Sequence, residues 1–198
     1  MSDYQRQYPL FSACGLNCGL CPRYHTDGTS RCPGCCGEGF FTKHPACGVV
    51  SCIQRHDGIE YCFQCDEYPC QKYEKSSHFD SFITHQHMFT DFEKAKHMGL
   101  MAYQAELNQK VEILQQLLDD YNDGRRKNFF CIAVNLLELQ DVNDVMAELT
   151  TETNSDQTVK EKSAAAVARF QAMADRRNIV LKLNQKKSDS DKKAPQSV

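Results

Sequence analysis

Cys14-Gly-Leu-Asn-Cys18-Gly-Leu-Cys21-Pro22 opens a cysteine run that continues through Cys32-Pro-Gly-Cys35-Cys36 and Cys47-Gly-Val-Val-Ser-Cys52 to Cys62-Phe-Gln-Cys65-Asp-Glu-Tyr-Pro-Cys70. Eleven of the 12 cysteines fall within these 57 positions, and Cys131 stands apart. The same window holds six aliphatic residues: Leu16, Leu20, Val49, Val50, Ile53 and Ile59. Burying one such side chain contributes about 1.5–3 kcal/mol, whereas ordering the backbone of one residue costs about 1–2 kcal/mol. Six aliphatics cannot hold 57 residues, even helped by Tyr24, Phe40, Phe41, Tyr61, Phe63 and Tyr68. Cross-links of some kind are required.

The spacing says which kind. Three Cys-x2-Cys pairs, at 18/21, 32/35 and 62/65, let both sulfurs of one turn reach a single ion, with zinc–sulfur bonds of about 2.3 Å. Structural disulfides more often close longer loops, in exported chains. The opening Met1-Ser-Asp-Tyr-Gln-Arg6 has no long apolar signal core, so a cytoplasmic protein is expected, in a compartment where paired thiols hold metal. Two tetrahedral all-cysteine zinc sites take about eight ligands. One site is expected from Cys14, Cys18, Cys21, Cys32 and Cys35, the other from Cys47, Cys52, Cys62, Cys65 and Cys70. Each pool has one candidate more than a tetrahedron accepts, and spacing leaves a crossed arrangement of pairs open. Cys36, directly after Cys35, is set aside as a non-ligand. Structural zinc contributes about 10–16 kcal/mol of apparent binding energy in small peptides, enough to repair much of the core deficit.

Beyond residue 70 the pattern becomes helical. Leu107, Val111, Leu114, Leu118 and Tyr121 step by 4, 3, 4 and 3 along one stripe, and Asp123-Gly124 stops it. Phe129, Ile132, Ala133, Leu136 and Leu137 predict a second helix, Asp141 an N-cap for a third, and Val159 to about Arg177 a fourth. Thr150 to Gln157 reads as a loop, and Ile179, Leu181 and Leu183 as a short strand or an extended packing segment. The expected architecture is α-dominated: an irregular metal-stapled module over 1–70, a helical region over 71–183 packed on it, and a disordered tail over 184–198. Tyr73, Phe79, Phe82, Ile83 and Phe89 are expected to bridge the two parts.

The stretches Cys14-Gly-Leu-Asn-Cys18-Gly-Leu-Cys21-Pro22, Arg31-Cys-Pro-Gly-Cys35 and Tyr61-Cys-Phe-Gln-Cys-Asp-Glu-Tyr-Pro-Cys70 resemble a cysteine-rich prokaryotic family, domain of unknown function 3795. Asp123-Gly-Arg-Arg-Lys-Asn-Phe-Phe-Cys-Ile-Ala-Val-Asn-Leu-Leu137 is similar to the helical part of its longer members. The resemblance implies a zinc-binding protein of bacteria or archaea and no established reaction. Cys36 is an addition to the family's usual pattern.

Several functions are weighed against this reading. Cys14-x3-Cys18-x2-Cys21 has the spacing of the radical S-adenosylmethionine signature, so an iron–sulfur electron carrier or redox enzyme is the main alternative. The large α/β barrel of such enzymes has no counterpart here. A thioredoxin-type use of Cys-x2-Cys lacks its βαβ context. A spare Cys36 beside a metal site could act as a redox sensor. His44, three residues before Cys47, offers an imidazole ligand, and His78, His85, His87 and His97 form a loose group without a metalloenzyme pattern. Binding of nucleic acid is disfavoured: residues 1–70 carry five Lys/Arg against seven Asp/Glu, and the whole chain has a net charge of −3. The cationic clusters Arg125-Arg126-Lys127 and Lys186, Lys187, Lys192 and Lys193 read as a solvated loop and tail. The longest apolar run, Phe129 to Val134, is far below the roughly 20 residues that cross a bilayer. The reading is a non-catalytic zinc-binding scaffold for a protein or small-molecule partner.

Overall fold

The computed structural model describes residues 4–56, 58–74, 79–154 and 156–184. More than half of the protein is helical and no strand occurs among the described residues, so the fold is α-dominated, as expected. Apart from Asn184, the tail expected to be disordered lies outside the described residues.

The cysteine-rich part is made of loops and single turns. Three 3-10 turns, Cys18–Leu20, Gly28–Ser30 and Cys62–Gln64, are interspersed with the short helices α1 (Phe40–Lys43), α2 (Gly48–Ile53) and α3 (Gln71–Glu74). Elements this short are not stable on their own. Backbone bonds to the segment 9–13 fix several of them: Cys35 N–H donates to Pro9 O at 2.8 Å, Gly19 N–H to Leu10 O at 2.9 Å and Cys62 N–H to Ala13 O at 2.9 Å.

Five longer helices follow: α4 (Met88–Met98), α5 (Leu100–Asp120), α6 (Lys127–Leu136), α7 (Leu139–Glu152) and α8 (Val159–Arg176). On α5 the buried stripe is Tyr103, Leu107, Lys110, Leu114 and Leu117. Val111 and Leu118, expected in the stripe, flank it half-buried, because a lysine occupies the position that an apolar pattern skips. α6 buries Phe130, Cys131, Ala133, Val134, Asn135 and Leu136, almost its whole circumference, as suits a helix clasped by others. Cys131 is thus the small buried hydrophobe its setting predicts.

α7 starts at Leu139, with Glu138 rather than Asp141 at the N-cap position, and runs to Glu152, into the expected loop. Asp141 does not cap because its buried carboxylate accepts from Arg177, whose Nε lies 3.0 Å from both oxygens and whose Nη2 lies 2.5 Å from Oδ1. α8 opens on a capping box: Thr158 Oγ1 accepts from Glu161 N–H at 3.3 Å, and Glu161 Oε2 from Thr158 N–H at 2.8 Å. Ile179 and Leu181 then pack half-buried against the core without forming a strand.

The two parts share one core. Phe11 is fully buried, with ring centroids 5.2 Å from Tyr61, 5.6 Å from Phe92 on α4 and 4.7 Å from Tyr103 on α5. The turn Cys18–Leu20 lies against α5 and α6. Two glycines permit this approach. Gly15, at φ 93°, would place a Cβ 2.7 Å from Met88 O, and Gly19 would place one 2.8 Å from Val111 Cγ2. The 71–90 segment contributes less to the bridge than its composition suggests. Tyr73 and Ile83 are buried, but Phe79, Phe82 and Phe89 are exposed, Phe82 with the Arg23 guanidinium 4.8 Å over its ring.

Candidate metal centre

Two of the Cys-x2-Cys pairs form the same local structure. Cys21 N–H donates to Cys18 O at 3.1 Å and Tyr24 N–H to Cys21 O at 2.9 Å. In the second, Cys65 N–H donates to Cys62 O at 3.0 Å and Tyr68 N–H to Cys65 O at 3.1 Å. Both are Cys-x2-Cys-x2-Tyr knuckles, and each tyrosine ring carries a cation: Arg31 lies 4.7 Å above Tyr24, and Lys96 lies 5.2 Å above Tyr68. The repeated tyrosine, three residues after the second cysteine of each of these pairs, is a signal the sequence carries. All twelve cysteines are free thiols.

The thiols fall into two neighbourhoods. In the first, burial and then the like charges of Cys35, Cys14, Cys21 and Cys32 push Cys18 well above the usual thiol range. Burial, then Cys35, raises Cys14 to about 12, with Cys47 a further contributor. In the second, Cys52, Cys62, Cys65 and Cys70 line one cavity of about 30 Å³ together with His56 and Tyr73. Burial raises Cys62 to about 11, a hydrogen bond with the Tyr73 hydroxyl opposes that, and Cys70, Cys52 and Cys65 add to it. Cys47, pooled with this second set by sequence order, occupies the N-cap position of α2, within electrostatic reach of Cys14 and Cys36. The cavity of the second group is lined without it.

Cys35 behaves differently. A hydrogen bond from the Cys36 thiol and the Arg6 guanidinium favour its thiolate against burial, and hold it down at about 6. Cys36 is fully buried and sits at φ 55°. Arg6 is 4% exposed, donates from Nη1 to Phe11 O at 2.6 Å and lies 4.4 Å over the Tyr61 ring, while its Nε and Nη2 have no hydrogen-bond partner. No sequence pattern marks Arg6; it lies outside the cysteine window.

Residues 10–75 match the family described as protein of unknown function, DUF3795. The match takes in all ten candidate ligands and stops before α4; the likeness noted over Asp123 to Leu137 lies outside it. No curated protein matches the chain, and no solved structure does.

Within the DUF3795 segment the thiols are neighbours rather than a closed shell: among the described residues, no three His, Cys, Asp or Glu side chains converge as ligands of one ion. The donor set nonetheless suits a soft-binding dication, because closely placed buried thiols that hinder one another's ionisation lose that penalty when a cation joins them. Of the histidines in the cysteine window, His56 lines the second cavity beside the four thiols, whereas His44 and His25 are engaged otherwise. His44 stacks on Phe40 at 4.6 Å with Nδ1 2.7 Å from Pro45 O, and His25 Nε2 is 2.7 Å from Gly19 O. His97 is exposed, and His78 lies outside the described residues.

A second polar cluster joins the DUF3795 segment to the helices. Asn17, just before Cys18, donates from Nδ2 to Asp91 Oδ2 at 2.9 Å and to Asn135 Oδ1 at 3.3 Å, and accepts from Tyr103 OH at 2.9 Å. Lys110 Nζ donates to Leu137 O at 2.6 Å, and Lys94 bridges Glu106 at 2.6 Å and Glu138 at 2.5 Å. The cavity among these groups is about 10 Å³, the size of one water and too small for a substrate. Burial raises Asp91 to about 7 against the opposing charge of Lys110, and burial lowers Lys110. The native state therefore keeps a proton on Asp91 that the unfolded chain, with a carboxyl near 3.9, has lost. Stability from this group is present at low pH and falls as pH rises from about 4 to about 7. Asp91→Asn is expected to remove that slope. Urea midpoints of wild type minus variant, taken across the window, check it; a flat difference contradicts it.

Proposed function

We propose that the DUF3795 segment is a structural zinc module and that the protein is a non-catalytic scaffold presenting a surface to a protein partner or small ligand. The observation that carries this reading is the gathering of Cys52, Cys62, Cys65 and Cys70, as free thiols, around one small cavity. These four would hold one ion. Four ligands from Cys14, Cys18, Cys21, Cys32, Cys35 and Cys47 would hold another, with Cys36 outside the set. Bound zinc supplies cohesion, and a site closed by four thiolates keeps no position open for a reacting water. The helical part adds support: its most charge-rich cavity is filled by its own side chains. For nucleic acid, Arg125 and Arg126 are exposed, but Lys127 Nζ is tied to His25 O at 2.6 Å, which leaves few cations for phosphate.

Elemental analysis of protein purified without oxygen tests the reading. A colourless protein with about two zinc ions per chain is expected. A brown protein with visible absorbance, iron and sulfide overturns it in favour of an iron–sulfur centre on Cys14, Cys18 and Cys21.

A further inference from the structure

An all-cysteine zinc centre carries a formal charge of about −2, and a buried anion of that kind needs a partner. The two neighbourhoods differ in what they offer. Beside the first stands Arg6, 4% exposed, with two guanidinium nitrogens lacking any hydrogen-bond partner. Its backbone is locked to the cysteine loop, Arg6 N–H donating to Cys36 O at 3.1 Å, and its side chain is clamped between Phe11 O and the Tyr61 ring. A guanidinium held this way cannot turn to solvent, and its charge falls on Cys35. The second neighbourhood has Glu67 and Lys72, both exposed and of opposite sign, and Lys96, which lies over the Tyr68 ring and is itself paired with exposed Glu93 at 2.7 Å, so solvent and mutual cancellation leave little net field there.

We infer that Arg6 is the built-in counter-cation of the first centre, so that the chain holds two ions of unequal affinity, the first tighter than the second. The inference rests on the zinc reading above. Outer groups around a metal site alter affinity by about 10–100-fold, and a buried fixed charge acts in the same range.

The test is competition of the zinc-loaded full chain with a chromophoric chelator. Wild type is expected to release its two ions in two phases separated at least about tenfold. Cys65→Ser, which removes a ligand of the second centre, should keep one resistant ion. Arg6→Met, which keeps the stem without the charge, should weaken that resistant ion about 10–100-fold and leave the other unchanged, while Arg6→Lys restores much of the loss. A role in packing alone would instead make the Lys and Met variants alike. Release of both ions together in wild type overturns the inference, as does an Arg6→Met protein with its resistant ion unaltered. Should Arg6→Met fail to fold, the wild-type and Cys65→Ser results decide. Wild type carrying no zinc overturns the zinc reading itself, and elemental analysis shows this before any chelator is added.

Discussion

On the zinc reading proposed above, chelating the metal from the fully reduced protein is expected to melt residues 9–73 while α5 to α8 stay folded. The two parts are held by different means. α6, α7 and α8 bury Phe130, Val134, Val142, Val145, Leu149 and Phe170 almost completely, an apolar core that needs no ion. Among its described residues the cysteine-rich part has three short helices and three single turns, which contribute little cohesion of their own. Each zinc of the proposed sites would contribute about 10–16 kcal/mol, comparable with the whole stability of an ordinary domain, about 5–15 kcal/mol. Docking of Phe11, Leu20 and Tyr61 onto α4 and α5 offsets only part of such a loss. Amide hydrogen exchange separates the regions: after chelation, amides over 9–73 should exchange freely and those over 107–176 stay protected. The helical far-UV signal should fall little. Protection over 9–73 that survives in metal-free, reduced protein would refute the view that thiolate–ion bonds hold this region.

Phe11→Ala is expected to cost about 3–5 kcal/mol, in the range for a buried aromatic whose removal leaves a cavity. The ring touches Tyr61 in the cysteine-rich part, Phe92 on α4 and Tyr103 on α5, so no single element can move to fill the space. Arg6 also leans on this position through Phe11 O and the Tyr61 ring. Chemical denaturation of the metal-loaded variant measures the loss; a cost below about 1 kcal/mol would mean that the interface collapses readily and is not a close-packed core.

The helices were legible wherever their faces are plain. Val159 to Arg177 and the Leu107–Leu114 stripe give period and stop signals, and α5 and α8 follow them closely. Local patterns mislead where a distant partner overrides local chemistry. Asp141 looks like a cap and is instead claimed by Arg177 from beyond α8. Lys110, a position the apolar pattern skips, is buried with its Nζ on Leu137 O. In the cysteine-rich part, spacing identifies the thiols but leaves their partition open, since the loops fold on the 9–13 segment rather than in chain order. Arg6 and Asn17 carry no local signal at all. Their roles come from contacts with Tyr61 and with Asp91, 74 positions away in the case of Asn17.

The glycine approach at Gly15 and Gly19 has a consequence for the cysteine-rich segment as a transferable unit. Cut off at residue 75, it would turn Phe11, Leu20 and Tyr61 toward water and lose the groups that satisfy Asn17. Such a cassette is not portable alone. Any polypeptide carrying it has to bring a lid, here a pair of helices, whose ridge fits the notch that two missing side chains leave.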